Sequence, residues 1–216
     1  MTLKLYNYFR SSSSYRVRIA LNLKGLDYEH LPVHLLREGG EQFADAFVAM
    51  NAQSLVPVLV DGTRALTQSL AIIEYLEETR PTPPLLPAAA EDRAFVRQIA
   101  LSIACDIQPL GNLRVLGHLG RSMGQGEEAQ KAWAGHWIRK GFTALEAQLA
   151  GSPRRRTFCY GESPTLADCF LVPQMFNAVR FGVDLAPFPT LRAIDAACQA
   201  LPAFAQAHPG RQPDTP

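Results

Sequence analysis

The residues best suited to chemistry form one run, Arg10-Ser11-Ser12-Ser13-Ser14-Tyr15-Arg16, where an extended segment gives way to a helical one. A helix start presents unpaired N–H groups and the positive end of the helix dipole, so it attracts anions. Hydroxyls placed there can donate to a thiolate and lower its pKa. The same serines have a plainer use, one as an N-cap and the others as loop. A second special place is Leu55-Val56-Pro57-Val58. A proline entering a strand cannot donate to the ladder, so it marks an edge, a strand start or a cis bond. In the cis form Val56 would offer its N–H and C=O to an extended peptide; a trans proline opening the strand is the alternative. The third place is Thr67-Gln68-Ser69, directly ahead of a helical run. A carboxylate would be welcome there, and Ser69 would serve equally as a cap.

These places need elements to hold them. Leu3, Leu5 and the residues between alternate as in a half-buried strand, and Val17–Lys24 followed by Gly25 reads as a helix with a glycine stop. Leu31, Val33 and Leu35 alternate again, and Phe43, Phe47 and Met50 recur at helical spacing. Val58-Leu59-Val60, Asp61-Gly62 and Ala65-Leu66 read as a hairpin, followed by a helix through Ile72, Ile73 and Leu76. The order is βαβ-α-ββα. A proline-rich connector, Thr82–Pro87, follows, and beyond it the signals are helical. Phe95, Ile99, Ile103 and Ile107 step by four along one expected helix, and Phe142, Leu145 and Leu149 recur by three and four along another. Thr165-Leu166-Ala167-Asp168 has the form of an N-terminal capping box for a helix reaching about Arg180. The division expected is 1–82, a linker 83–90, and an all-helical 91–216. The polar, proline-rich end from His208 to Pro216 reads as disordered.

Bulk properties narrow the classes. The 216 residues are 47% hydrophobic and 19% charged with a formal net charge of +1, an ordinary globular balance with no nucleic-acid footprint. The one basic run, Arg154-Arg155-Arg156, follows Gly-Ser-Pro and reads as a solvated turn. No run approaches the ~18 apolar residues of a membrane helix, and Met1–Tyr6 lacks the pattern of a leader. Cys105, Cys159, Cys169 and Cys198 are widely spaced with no paired motif. They read as free thiols in a reducing cytoplasm, with no metal site.

Ser11–Leu21 is similar to the SSCSWRVRIAL signature of zeta-class glutathione transferases. Asn51–Leu59 resembles that family's NPxxxVPxL segment, and Gln68–Glu78 matches its QSLAIIEYLEE segment throughout. Asp106–Leu116 resembles its IxPLxNLxVL stretch, and Ala167–Gln174 its ADxxLVPQ helix. The resemblance runs from about Leu3 to Arg192. It implies a thioredoxin-like α/β domain plus an all-α domain, a homodimer, and glutathione as the bound thiol.

The resemblance also implies site residues. Ser11 and Ser12, with Ser13, Ser14, Tyr15 and Arg16 of the same motif, would surround the glutathione thiol. Gln68 and Ser69 would hold the γ-glutamyl carboxylate, and Val56 with cis-Pro57 the cysteinyl backbone. Gln42, Gln108, Asn112, Leu113 and Arg114 would reach other parts of the tripeptide. The family's cysteine is Ser13 here and its tryptophan Tyr15, so no cysteine is needed at that place; Ala52 stands for its proline. Tyr6 and Tyr8 lie on the first strand, where other transferase classes carry an activating tyrosine, and here they read as packing.

The activity implied is cis–trans isomerisation of a maleyl diketo acid, maleylacetoacetate or maleylpyruvate. Thiolate addition turns the double bond into a single bond, rotation follows, and the thiol leaves unconsumed. Such a small dianionic substrate needs cations, and Arg10 and Arg180 are the choices by family position, with Arg114 a third. Conjugation, dehalogenation or peroxide reduction by the same thiolate is the alternative, and a non-catalytic binding module the remaining one.

Overall fold

Strand β1 (Leu3–Asn7) buries Leu3, Leu5 and Asn7, the alternation its sequence dictates. A computed structural model describes residues 2–216. Helix α1 (Ser12–Leu23) starts at the serine run itself, with Ser11 as N-cap and Lys24 as C-cap. Gly25 follows at φ +62°, a left-handed position that a glycine takes without steric cost. Strand β2 (Tyr28–Pro32) pairs parallel with β1, and Pro32 ends it at the sheet edge, where a missing N–H is tolerated. The alternation from Leu31 to Leu35 placed this strand too late in the chain: its paired residues begin at Tyr28.

Helix α2 (Asp45–Met50) buries Phe47, but Phe43 lies in a separate 3₁₀ turn and is 61% exposed, so it is no part of that helical face. Strands β3 (Val58–Asp61) and β4 (Arg64–Thr67) form the expected antiparallel hairpin, with Gly62 at φ +63° in its turn. Helix α3 (Ser69–Thr79) buries Ile72, Ile73 and Leu76. The sheet order is β2-β1-β3-β4, with β1 antiparallel to β3. Lys24, itself buried, donates to Glu77 and to the carbonyls of Arg80 and Pro83, so the end of α1 is tied to the end of α3.

By contacts the chain forms two units, one of residues up to Leu85 together with Ala200–Pro216, the other Leu86–Gln199. The second unit opens with α4 (Ala90–Leu101), which passes into a π-helical turn, Ser102–Ile107, and a 3₁₀ turn, Gln108–Gly111. The four-residue spacing from Phe95 to Ile107 suggested one regular helix. Residues four apart drift by about 40° around an α-helix, and the wider π turn absorbs that drift. Ile99, Ile103 and Ile107 accordingly stay buried in line. Helices α5 (Leu113–Arg121), α6 (Glu127–Ala150), α7 (Leu166–Arg180) and α8 (Pro189–Gln199) complete this unit. Asp168 at the start of α7 is fully buried and accepts from the backbone N–H groups of Thr165 and Cys159.

The last segment differs from its reading as helical-domain tail and disordered end. Helix α9 (Pro202–Ala207) and a 3₁₀ turn, Pro209–Arg211, belong to the first unit. Asn22 donates to the Ala203 carbonyl, and Arg18 to that of Ala207, so α9 is fastened to α1. Proline and polar residues lower the propensity for regular structure, but here side chains of α1 supply the missing partners.

Candidate active site

The start of α1 carries the serine run, and the run divides in two. Ser11 Oγ accepts from the Ser14 N–H at 3.2 Å, which leaves the Ser11 hydroxyl proton free to donate elsewhere. Ser12 is 6% exposed, while Ser11 and Ser13 are half-buried, and no acidic residue lies in the first turn. Ser14, Tyr15 and Arg16 face inward. Ser14 is fully buried and its Oγ accepts from the Tyr8 N–H, and Tyr15 is fully buried with its ring edge-on to His208. A ligand-contacting role for Ser14 and Tyr15 is therefore corrected: burial leaves them no surface to offer, and they hold the motif from behind. Arg10, just ahead of the N-cap, is half-buried, with its guanidinium carbon 6.0 Å from the Tyr8 ring centre and 5.9 Å from that of Phe9. Tyr8 is buried in a cluster with Phe9, Val33, Phe47, Val56 and Val58, as its packing role requires.

Helix α3 begins at an unusual residue. Gln68 sits at φ +67°, ψ 115°, a region that non-glycine residues enter at a cost on the order of 1–3 kcal/mol. Its Nε2 donates to Gln53 Oε1 at 2.7 Å, and its own side chain makes no cap. Ser69 is buried and accepts from Arg16 Nη1 at 3.2 Å. Arg16, 2% exposed, therefore stands behind the α3 start and adds a full charge to the helix dipole there. The serine motif suggested contact with the ligand for Arg16; the structure gives it this electrostatic place behind Ser69 instead. The Val56–Pro57 bond is cis, and pairing of β3 with β1 begins at Val58, so Val56 lies outside the ladder. Gln42 is 8% exposed; its Nε2 donates to the Leu35 carbonyl, and its Oε1 is a buried acceptor without a partner. Gly40 at φ +113° makes room for it, since a Cβ there would lie 2.5 Å from Gln42 Nε2.

The remaining expected residues belong to the second unit. Gln108 opens the 3₁₀ turn, and Asn112 caps α5 by accepting from the Arg114 N–H at 3.0 Å. Leu113 and Arg114 are exposed in its first turn, and Arg180 is exposed at the end of α7 with its guanidinium carbon 4.8 Å from the Phe181 ring centre.

Two residues important to the first unit escaped the reading of the motifs. Arg18 is fully buried and donates to Asn7 Oδ1 and to the carbonyls of Tyr8, Phe9 and Ala207. Burial pulls its pKa down to about 10, against the raising influence of Tyr28, Tyr15 and Asp214. Its signal was present: an arginine inside Val17-Arg18-Ile19-Ala20-Leu21 must be either exposed or fully bonded. Asp214, which accepts from the Phe9 N–H, left no such signal.

The first unit thus offers a helix start at α3 backed by Arg16, the residue Val56 outside the ladder ahead of cis-Pro57, a buried acceptor at Gln42 and a hydroxyl-lined helix start at α1. Glutathione has a carboxylate at each end, peptide groups between and a thiol in the middle, and these features fit that set. The fold and site together define a thioredoxin-like protein built to hold a thiol tripeptide. The family pattern described as glutathione S-transferase, N-terminal domain, matches residues 5–84, and that of the C-terminal domain matches residues 127–210. A maleylpyruvate isomerase of Ralstonia sp is 54% identical over 99% of this chain and 100% of its own length. The solved holo structure of a maleylpyruvate isomerase, described as a bacterial zeta-class glutathione transferase, superimposes with a TM-score of 0.96 at 54% identity, covering 99% of this chain and 100% of that one. A maleylacetoacetate isomerase of Anaeromyxobacter dehalogenans 2CP-1, solved with dicarboxyethyl glutathione and citrate in its active site, gives 0.87 at 45% identity, covering 100% and 98%. The chain belongs to the glutathione S-transferase family, in its zeta class.

Proposed function

We propose that this protein is a glutathione-dependent cis–trans isomerase of a maleyl diketo acid, maleylacetoacetate or maleylpyruvate, acting as a cytoplasmic homodimer. The observation that carries the reading is Arg10 set immediately ahead of Ser11–Ser13, at a helix start with no acidic residue in its first turn. A cation and thiolate-stabilising hydroxyls at one helix end suit a reaction between a thiolate and a dianion. The relatives named above support it, and the dicarboxyethyl glutathione held by one of them carries two extra carboxylates beside sulfur.

Bound glutathione supplies a thiolate that adds beside a substrate carboxylate, permits rotation and is released unchanged. The chain's residues do the rest. Ser11, Ser12 and Ser13 donate to the thiolate and keep it ionised near neutral pH. Gln68 and Ser69, backed by Arg16, hold the γ-glutamyl carboxylate, and Val56 ahead of Pro57 pairs with the peptide. Gln42 accepts from a peptide N–H, and the family resemblance alone assigns Gln108, Asn112, Leu113 and Arg114 of the second unit to the tripeptide. Arg10 holds a substrate carboxylate and offsets the negative charge that develops on the carbonyl oxygens, and the family resemblance gives Arg180 of the second unit the same kind of role.

The test is turnover of each maleyl compound with and without glutathione, with product scored by a coupled hydrolase and thiol titrated before and after. Rapid isomerisation that requires glutathione and leaves thiol undiminished is expected. Thiol lost to a halogenated or peroxide substrate, with neither maleyl compound turned over, would move the protein to a glutathione-consuming reaction.

A further inference from the structure

The loop that presents Arg10 and Ser11 is short, and nearly every polar group of its backbone is pinned. The Tyr8 carbonyl accepts from the Ser11 N–H at 3.0 Å and from Arg18 Nη1 at 3.4 Å. The Phe9 carbonyl accepts from Arg18 Nη2 at 2.9 Å. The Tyr8 N–H donates to Ser14 Oγ at 3.5 Å. All of these partners lie within the same strand–helix segment. The Phe9 N–H is different: it donates at 2.8 Å to Asp214 Oδ2, from the far end of the chain.

We infer that Asp214 is a positioning residue for the thiol-activating loop, acting by accepting the Phe9 amide. This rests on the reading of Ser11–Ser13 as the thiolate site proposed above. Arg18 holds Phe9 by its carbonyl and Asp214 holds it by its amide, so the two dihedral angles between those groups are fixed. The direction of Arg10 and the place of the Ser11 N-cap both follow from those angles. Sites of this kind lose much of their effect when a donor moves by about 1 Å.

The last residues are built to deliver that carboxylate. Gln212 Nε2 donates to the carbonyls of Gln206 and His208, and the Thr215 hydroxyl donates to that of Pro209, folding the end back on α9. The second carboxylate oxygen, Oδ1, lies 3.0 Å from His30 Nε2. The tautomer of His30 follows from its neighbours. Arg18 can only donate, so Asn7 turns its oxygen to Arg18 and its Nδ2 toward the Leu5 carbonyl and His30 Nδ1. Nδ1 is then the acceptor, and Nε2 carries the proton given to Asp214. Both oxygens of Asp214 are thus engaged, and its side chain is only 9% exposed.

The test compares Asp214→Ala, Asp214→Asn and Asp214→Glu in the full-length protein. The main readout is the titration of bound glutathione, followed by the ultraviolet absorbance of its thiolate, with affinity for S-methylglutathione and the melting midpoint measured alongside. Asparagine keeps an acceptor for Phe9 at the same reach, whereas glutamate keeps the charge but displaces the oxygen. Asp214→Ala is expected to raise the thiol titration midpoint by about one pH unit, a tenfold loss of thiolate near neutrality, with S-methylglutathione affinity within about twofold. Asp214→Asn is expected to stay close to the parent, and Asp214→Glu to fall between. An unchanged midpoint in Asp214→Ala, with only the melting temperature lowered, would overturn the inference and leave Asp214 a staple of the chain end. So would asparagine performing worse than glutamate, a comparison that still decides if the alanine variant does not fold. None of these readings uses a maleyl substrate, so failure of the isomerase reading and failure of this one are told apart.

Discussion

Helices α1 and α3 of the first unit have no acidic residue in their first turns, whereas α4, α6 and α7 of the second carry Glu91 and Asp92, Glu127 and Glu128, and Asp168. Helix α8 receives a carboxylate from α6, since Glu146 accepts from the N–H groups of Thr190 and Leu191. The second unit therefore neutralises most of its helix starts from within, whereas in the first unit only α2 carries an acid, Asp45, in its first turn, and α1, α3 and the short α9 carry none. Helix α5 is the exception in the second unit, with Asn112 as cap and no acid, and its first turn holds Leu113 and Arg114 of the expected binding set. In the first unit, the open starts of α1 and α3 coincide with the places proposed for the thiolate and the γ-glutamyl carboxylate.

This contrast can be broken at both ends. Asp168→Ala removes the acceptor for two buried backbone N–H groups and should cost about 3 kcal/mol of stability, seen as a large fall in melting temperature. Glutathione affinity measured below the transition should hardly change; a large loss would mean the closed helix starts also shape the site. Arg10→Ala should lower kcat/KM for the maleyl substrate about a hundredfold, with glutathione affinity nearly constant. Equal losses in both would move Arg10 from the substrate to the tripeptide. Ser69→Ala should weaken glutathione binding about tenfold, with kcat at saturation little altered. Unaltered binding would show that the backbone of α3, rather than its first side chain, carries the carboxylate.

The smallest effect is one of pH. Burial, joined by the charge of Arg18, lowers the pKa of His30 below its ordinary value, outweighing the raising effect of Asp214. An unfolded histidine takes up a proton at about pH 6.5, and the folded one resists, so the unfolded state binds more protons below that pH. Stability should therefore be full above about pH 6.5 and fall as the pH drops toward the folded pKa. A denaturation series across that range should lose this slope in His30→Gln. A slope unchanged by that substitution would place the acid sensitivity elsewhere.

Much of the first unit was legible because its signals are local. Alternation located β1 and the Asp61-Gly62 turn located the hairpin, whereas α1, read from Val17, begins five residues earlier inside the serine run, and burial withdrew Ser14 and Tyr15 from the ligand. Of the two forms open to Pro57, the chain adopts the cis one. What stayed hidden depends on partners distant in sequence. Phe43 has helical spacing to Phe47, yet only the packed chain shows it turned to solvent. The π turn at Ser102–Ile107 is visible in hindsight as a four-residue step that a regular helix could not keep in line. Asp214 sits in a stretch whose composition argues for disorder, and its partners Phe9 and His30 lie near the opposite end of the chain.

Because Ala200–Pro216 belongs with the opening residues, the first unit is begun by the earliest part of the chain and completed by the latest. On a ribosome the sheet and its helices emerge first, and the whole of Leu86–Gln199 must be made before α9 and Asp214 arrive. At typical synthesis rates that delay is on the order of ten seconds. During it Arg18 lacks the Ala207 carbonyl and Phe9 lacks its carboxylate. Until Asp214 arrives, the loop that carries Arg10 and Ser11 would lack one of its backbone anchors.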